Sequence, residues 1–212
     1  GQTPMSACQR RAARVTLQKE KPKLDSALPL KSVGVTDTAT ALGSPDGDLL
    51  ELVQQQQLEE ALLRLQADPG LWAVRDTAGR NLLHYAALIG NVDFLHQALD
   101  AGIEVDSLTN LRQTALMYAS LRGNVLVMRA LLAARANIRS REAAGATSLI
   151  LAVRHRMYSS LLLLMHHGSV ELLLDADDEG CTAAHWAAYK GDRGAVKLLT
   201  HFGVSWDVRD KL

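Results

Sequence analysis

Four similar stretches recur along this chain at a nearly constant spacing, and this period constrains the fold more than any other feature. They are GRNLLHYAALIG (79–90), RQTALMYASLRG (112–123), GATSLILAVRHR (145–156) and GCTAAHWAAYKG (180–191), with starts 33, 33 and 35 residues apart. A unit of this length cannot bury its apolar face alone, so it must stack on its neighbours. The period therefore predicts an all-α chain of stacked helical repeats.

Each recurring position carries a residue type suited to such a unit. Short polar residues precede the apolar runs, where they can cap the free N–H groups of a helix start: Asn81, Thr114, Thr147 and Thr182. Small residues follow, which let the first helices of neighbouring repeats approach closely: Ala86, Ala119, Ala152 and Ala187. Glycines then supply a permissive backbone between the two helices of a repeat: Gly90, Gly123 and Gly191.

The four stretches resemble the ankyrin repeat, whose TPLH tetrad they carry in degraded form. The resemblance implies an ankyrin-repeat solenoid of helix-turn-helix units with β-hairpin turns, which binds a protein or peptide partner in its concave groove. Two departures qualify the fit: Arg135 and Arg156 stand where the family prefers glycine, and the stretch 169–178 carries two extra residues. Because insertions in solenoids map to loops on one face, we expect a lengthened hairpin loop or a prolonged outer helix there.

The two ends of the chain differ from its repeats. Residues 1–44 hold seven Lys or Arg against three Asp or Glu and lack apolar periodicity. This predicts a disordered basic tail, read as a solvated linker in preference to a contact with acidic lipid or nucleic acid. Residues 45–75 are interpreted as a degenerate capping repeat of two short helices. Residues 76–212 are predicted to form four repeats and the start of a fifth, so we expect a piece of a longer chain.

Nothing in the sequence indicates catalysis or a cofactor. His166, His167, Cys181 and His185 do not have a spacing typical of metal ligands. Cys181 and His185 are better explained as a turn residue and the repeat's structural histidine than as a nucleophile pair. No apolar run approaches the roughly 20 residues that span a bilayer, and the first residues lack the apolar stretch of a secretory signal. The sequence predicts no metal, no nucleic-acid partner, no membrane insertion and a cytoplasmic location.

The candidate binding site is a column of residues directly after the degraded tetrad. Its members are Tyr85, Tyr118, Leu151 and Trp186. In ankyrin folds this position faces the groove beside the hairpins, as do the pairs three and four residues further on: Leu88 and Ile89, Leu121 and Arg122, Arg154 and His155, Tyr189 and Lys190. Such an aromatic seam flanked by cations is suited to anchoring a peptide. The alternative is that each ring only packs against its neighbours in the stack.

A second resemblance concerns the last repeat. The segment DEGCTAAHWAAYKGD (178–192), followed by LLTHFGVSWDVRDKL, is similar to the ankyrin segment of membrane-bound DHHC-type protein S-acyltransferases, the palmitoyltransferases. That resemblance implies a substrate-recruiting region on the cytosolic face of an internal membrane such as the Golgi. Acyl transfer would then be carried out beyond these residues, because His166 and His167 are followed by Gly168 and the Asp-His-His-Cys motif is absent. A scaffold or adaptor and a recruiting arm of an enzyme are therefore the two function classes.

Overall fold

The computed structural model describes residues 45–204, and these form an all-helical stack. The elements in chain order are α1 (Pro45–Gln54), α2 (Leu58–Ala67), a 3-10 helix (Pro69–Ala73), α3 (Leu82–Ile89), α4 (Val92–Asp100), α5 (Ala115–Arg122), α6 (Val125–Ala133), α7 (Ser148–Arg154), α8 (Tyr158–His167), α9 (Val170–Leu174), α10 (Ala183–Tyr189) and α11 (Arg193–His201). The predicted solenoid of helical pairs is confirmed. The predicted tail, 1–44, and the start of a fifth repeat lie outside the described residues.

The helices form two layers. The inner layer is α3, α5, α7 and α10, each packed on the next, and the outer layer is α4, α6, α8 and α11. Helix α1 packs against α3 at one end of the stack. The four alanines of the inner helices, Ala86, Ala119, Ala152 and Ala187, have no solvent-exposed surface, as expected for the positions where helices approach closely.

Each inner helix begins at its predicted cap. The side chains of Asn81 and Thr114 accept hydrogen bonds from the backbone N–H groups of His84 and Met117 at 3.2 and 3.4 Å. Thr147 and Thr182 cap α7 and α10 in the same way. These bonds satisfy N–H groups that a buried helix end would otherwise leave unpaired.

The turns between repeats bond to one another through their backbones. The N–H of Asn110 donates to the carbonyl of Ala78 at 2.9 Å, and the N–H of Asp178 donates to that of Ala144 at 3.1 Å. Gly145 lies between such turns at φ +77°, and a Cβ there would lie 2.2 Å from Oδ1 of Asp178. Glycine is therefore required at this turn for both its backbone angle and the close approach of the next hairpin.

The two-residue insertion takes a form that the sequence did not predict. Helix α8 ends at His167, and the extra residues form α9, a separate one-turn helix. Leu172 and Leu173 of α9 are buried, and Arg139 of the preceding hairpin pairs with Asp175 at 2.6 Å and with Glu171 at 3.1 Å. The insertion folds back onto the stack because its two leucines extend the core.

Arginines occupy left-handed backbone positions where the repeat prefers glycine. Arg135 and Arg156 have φ values of 64° and 59°, and Arg112 in the second hairpin has 58°. Gly102 and Gly203, at the position of Arg135 in the first and fourth repeats, have φ values of 89° and 80°. A residue with a Cβ is strained in this region, typically by about 1 kcal/mol.

We therefore expect Arg135→Gly to stabilise the chain by about 0.5–1 kcal/mol, because it relieves that strain at an exposed turn. Urea unfolding followed by circular dichroism measures the change. Arg129→Gly is the matched control: Arg129 is exposed inside helix α6, where glycine should destabilise by about 1 kcal/mol. Equal destabilisation by both changes would contradict the strain argument.

Candidate protein-binding surface

The predicted column of residues is buried in the stack. Tyr85 is 2% exposed and Trp186 is 6% exposed, and Tyr118 and Leu151 lie between these values. Tyr85 and Trp186 face the hairpins, where they form hydrogen bonds with Asp76 and Asp177. The rings of the column pack between neighbouring elements and present little surface to a partner, so these contacts favour the alternative that the rings belong to the stack.

Carboxylates of the hairpin turns hold two of these rings. The Tyr85 hydroxyl donates to Oδ2 of Asp76 at 2.9 Å and accepts a hydrogen bond from Nε2 of Gln54 at 3.1 Å. Burial raises the pKa of the Tyr85 phenol far above its usual range, so the hydroxyl keeps its proton. The indole Nε1 of Trp186 donates to Oδ2 of Asp177 at 2.8 Å. Both acids stand nine residues before the rings they bond, at the same point of their repeats.

Arginines lie over the same rings. The guanidinium carbon of Arg80 is 5.1 Å from the centroid of the Tyr85 ring, and that of Arg154 is 4.7 Å from the Trp186 ring. Such cation–π contacts stabilise most where water is excluded.

The structure buries Arg154, which the sequence placed among the groove cations. Its side chain is 8% exposed and lies 3.8 Å from Oε1 of Glu142. Burial raises the pKa of Glu142, and the positive charge of Arg154 opposes that shift. Arg154 therefore has two partners within the stack, Glu142 and the Trp186 ring.

The accessible members of the predicted site lie at the carboxyl ends of the inner helices. Arg122 is exposed at the end of α5, and Tyr189 is 40% exposed at the end of α10. Ile89 and Lys190 are half-buried at the equivalent ends of α3 and α10. The Tyr189 ring meets the Trp186 ring edge-on with centroids 5.8 Å apart, so a fixed ring supports an accessible one.

Two leucines that the sequence reasoning missed also reach the surface. Leu108 and Leu111 of the second hairpin are 43% and 44% exposed. Their carbonyls accept hydrogen bonds from Arg75 and from the N–H of Ala143, which hold the turn in place. The sequence does contain a sign of these exposed leucines: an apolar residue stands on each side of Thr109 and Asn110, in a turn where polar residues are usual.

The histidines weighed as metal ligands take up other contacts. The Nδ1 atom of His185 accepts from the N–H of Thr182 at 3.1 Å, and the His166 ring meets Phe202 edge-on. His84 is fully buried: its Nδ1 accepts from the N–H of Asn81, and its Nε2 donates to the carbonyl of Gln113 in the next hairpin at 3.1 Å. Within residues 45–204 no group of three His, Cys, Asp or Glu side chains could hold a metal ion.

Burial lowers the pKa of His84 from 6.5 to about 4, although its bond to the Gln113 carbonyl opposes the shift. The neutral ring therefore stabilises the fold above pH 6.5, and protonation of the unfolded chain removes this stability as pH falls towards 4. We expect a loss of up to about 3 kcal/mol over this window. Urea unfolding at several pH values measures it. His84→Gln should flatten the slope, whereas His96→Gln, which removes an exposed histidine, should not.

Trp186→Phe should destabilise the chain by about 1–3 kcal/mol, because it leaves Oδ2 of buried Asp177 without its indole partner. Tyr189→Phe, at the exposed neighbouring ring, should change the free energy of unfolding by less than about 0.5 kcal/mol. Chemical denaturation of both variants checks the difference. If the two variants match, the indole bond does not hold the ring in the stack.

Comparison with known proteins assigns the chain to a family. Family models for ankyrin repeats match residues 49–142 and 83–172 (three copies) and residues 179–211 (one repeat). The chain belongs to the ankyrin-repeat family. It is similar to mouse Inversin, with 36% identity over 124 residues that cover 58% of this chain and 12% of Inversin. It is also similar to human B-cell lymphoma 3 protein, with 32% identity over 152 residues that cover 69% of this chain and 34% of that protein.

These matches bear on the second resemblance as well. They relate the chain to ankyrin repeats in general and do not support a relationship with DHHC-type S-acyltransferases. The chain spans about an eighth of Inversin and a third of B-cell lymphoma 3 protein. In the described part of the chain no helix is long and apolar enough to cross a membrane.

Proposed function

We propose that this chain is a protein-binding module whose partner contacts the carboxyl ends of the inner helices and the tips of the hairpins. The observation that carries the proposal is Tyr189, an aromatic ring that is 40% exposed and supported edge-on by the fixed ring of Trp186. Aromatic anchors of this kind supply much of the binding energy in protein interfaces. Lys190 follows this ring directly, and Arg122 and Ile89 at the equivalent ends of α5 and α3 add a charged and an apolar group to the proposed surface.

In this proposal the buried column acts as a floor. The floor supports and positions the accessible residues, and Arg154 stabilises it from within the stack. Its members are Tyr85, Tyr118, Leu151 and Trp186. Because hydrogen bonds to Asp76 and Asp177 hold two of the rings, little side-chain freedom is lost when a partner binds. A preorganised surface of this kind suits an extended peptide or a loop of a folded protein.

Membership of the ankyrin family supports this function, since ankyrin repeats generally bind proteins. The substrate-recruiting role in an S-acyltransferase and the associated Golgi location are not part of the proposal, because no observation favours them. A cytoplasmic location agrees with a protein-binding repeat array and stays a prediction.

Binders selected from a random peptide library against the full chain test the proposal. Tyr189→Ala should weaken the selected binders by about tenfold or more, the usual size for the loss of an aromatic anchor. Arg122→Glu should weaken those that carry acidic residues. Leu126→Ala is the matched control, because Leu126 is 71% exposed and belongs to the outer helix α6, which is not part of the proposed surface. Binders that survive Tyr189→Ala and Arg122→Glu but are lost with Leu126→Ala would contradict the assignment.

A further inference from the structure

Four basic side chains follow one another along the carboxyl ends of three successive inner helices. We call Arg122, His155, Arg156 and Lys190 the basic rim. Arg122, His155 and Lys190 occupy the same position of repeats two, three and four, and Arg156 follows His155 directly. This excess of positive charge is confined to the rim, because residues 45–204 together carry four more Asp and Glu than Lys and Arg. The rim is thus a positive strip on a net negative body.

Hydrogen bonds keep the ends of these helices in register. Arg156 Nη2 donates to the carbonyl of Lys190 at 3.3 Å, which joins repeats three and four. The Ser160 hydroxyl donates to the carbonyl of Ser120 in the last turn of α5 at 2.9 Å, which joins repeats two and three. The rim residues are therefore held on adjacent, packed elements, and their spacing follows the spacing of the inner helices.

Three members of the rim, Arg122, Arg156 and Lys190, carry a permanent positive charge that a partner can reach. Arg122 and Lys190 form no ion pair with any residue between 45 and 204. Arg156 lies 3.8 Å from Oδ2 of Asp192, but that carboxylate is 2% exposed. The other oxygen of Asp192 accepts from the Tyr158 hydroxyl and from two N–H groups at the start of α11. Asp192 therefore takes part in the fold, whereas the Arg156 side chain is 59% exposed, so part of its guanidinium remains accessible.

The first repeat breaks the pattern. Ile89 stands at the position that Arg122 and Lys190 occupy in their repeats, and it is half-buried beside half-buried Leu88. Asp93 follows on the first turn of α4 and is exposed, which places a negative charge in this repeat. The two ends of the strip therefore differ: the first repeat offers apolar side chains and an acidic one, and the second to fourth repeats offer basic side chains.

We propose that the basic rim binds an extended acidic peptide segment with an acidic residue at about every third position and an apolar residue at the end that meets Ile89. Packed helices lie about 8–10 Å apart, and a chain in the extended polyproline II conformation advances about 3.1 Å per residue with about three residues per turn, so every third side chain faces the rim at about the spacing of the helices. This inference rests on the proposed function and narrows its partner to one charge pattern. A peptide is favoured over nucleic acid because residues 45–204 together carry a net negative charge and the strip is only three helices long.

The test uses the full chain and a synthetic peptide of about ten residues with one leucine followed by three glutamates, each three residues apart. An isomer with the three glutamates adjacent and a version with lysines in their place are the control peptides. Changes in the backbone amide chemical shifts of the protein during a titration give both the affinity for the peptide and the residues that it contacts. We expect the spaced peptide to bind at least about threefold more tightly than the isomer, to shift amides at residues 122–124, 155–157 and 189–191, and to weaken as salt increases.

Variants of the rim complete the experiment. Arg122→Glu and Lys190→Glu should each weaken the spaced peptide about threefold to tenfold, and Arg129→Glu, an exposed arginine on the outer helix α6, should leave it unchanged. Because cations at helix ends also stabilise the helix, Arg122→Gln is measured beside them, with circular dichroism as a check of folding. It should weaken binding less than Arg122→Glu.

Three results would overturn the inference. The isomer could bind as tightly as the spaced peptide, or the rim variants could have no effect. A single-stranded oligonucleotide of similar length could instead bind more tightly than the peptide with the same dependence on Arg122 and Lys190, which would make the rim a nucleic-acid site. If library-selected binders still require Tyr189 while the spaced peptide fails, the acidic-peptide inference is wrong and the protein-binding function stands.

Discussion

The close contact of the inner helices is the interaction on which the rest of this structure depends. Alanines without exposed surface, such as Ala119 and Ala152, let each inner helix lie directly against the next. A larger side chain there would push the helices apart, and core packing tolerates such overpacking poorly. The same spacing sets the distance between hairpins, and hence the bonds from Asn110 to Ala78 and from Asp178 to Ala144. Hairpin contacts, ring positions and the spacing of the rim all follow from this one approach.

The local rules of the repeat could be predicted from the sequence because they act over a few residues. A polar residue before an apolar run predicts a cap, and Thr147 and Thr182 form one. A position that needs a positive φ remains recognisable even when arginine replaces glycine, as Arg135 and Arg156 show. In these cases the chemistry that decides the structure lies within the same repeat.

The exposure of the site could not be predicted in this way, because it depends on partners in other repeats. Trp186 is buried by its own hairpin carboxylate, Asp177, and by Arg154 from the preceding repeat. The period gives the position of each residue in the fold but not which side chains will cover it. The insertion in the third repeat is a similar case. Its two leucines favour burial over a surface loop, and α9 forms because Leu172 and Leu173 reach the core.

A division of roles between floor and rim follows from these contacts. The floor side chains are fixed by several partners each, so changing one disturbs the stack: Tyr85 bonds both Asp76 and Gln54, and Arg154 touches both Glu142 and Trp186. Rim side chains such as Arg122 have few internal partners, so they can change with little effect on stability. Under the proposed function, changes in the rim alone would alter the partner, while the buried bonds preserve the spacing at which the rim residues are presented. Under the proposed function, the partner is accordingly indicated by the charge at the helix ends and by the exposed ring of Tyr189, and not by the buried rings of the stack.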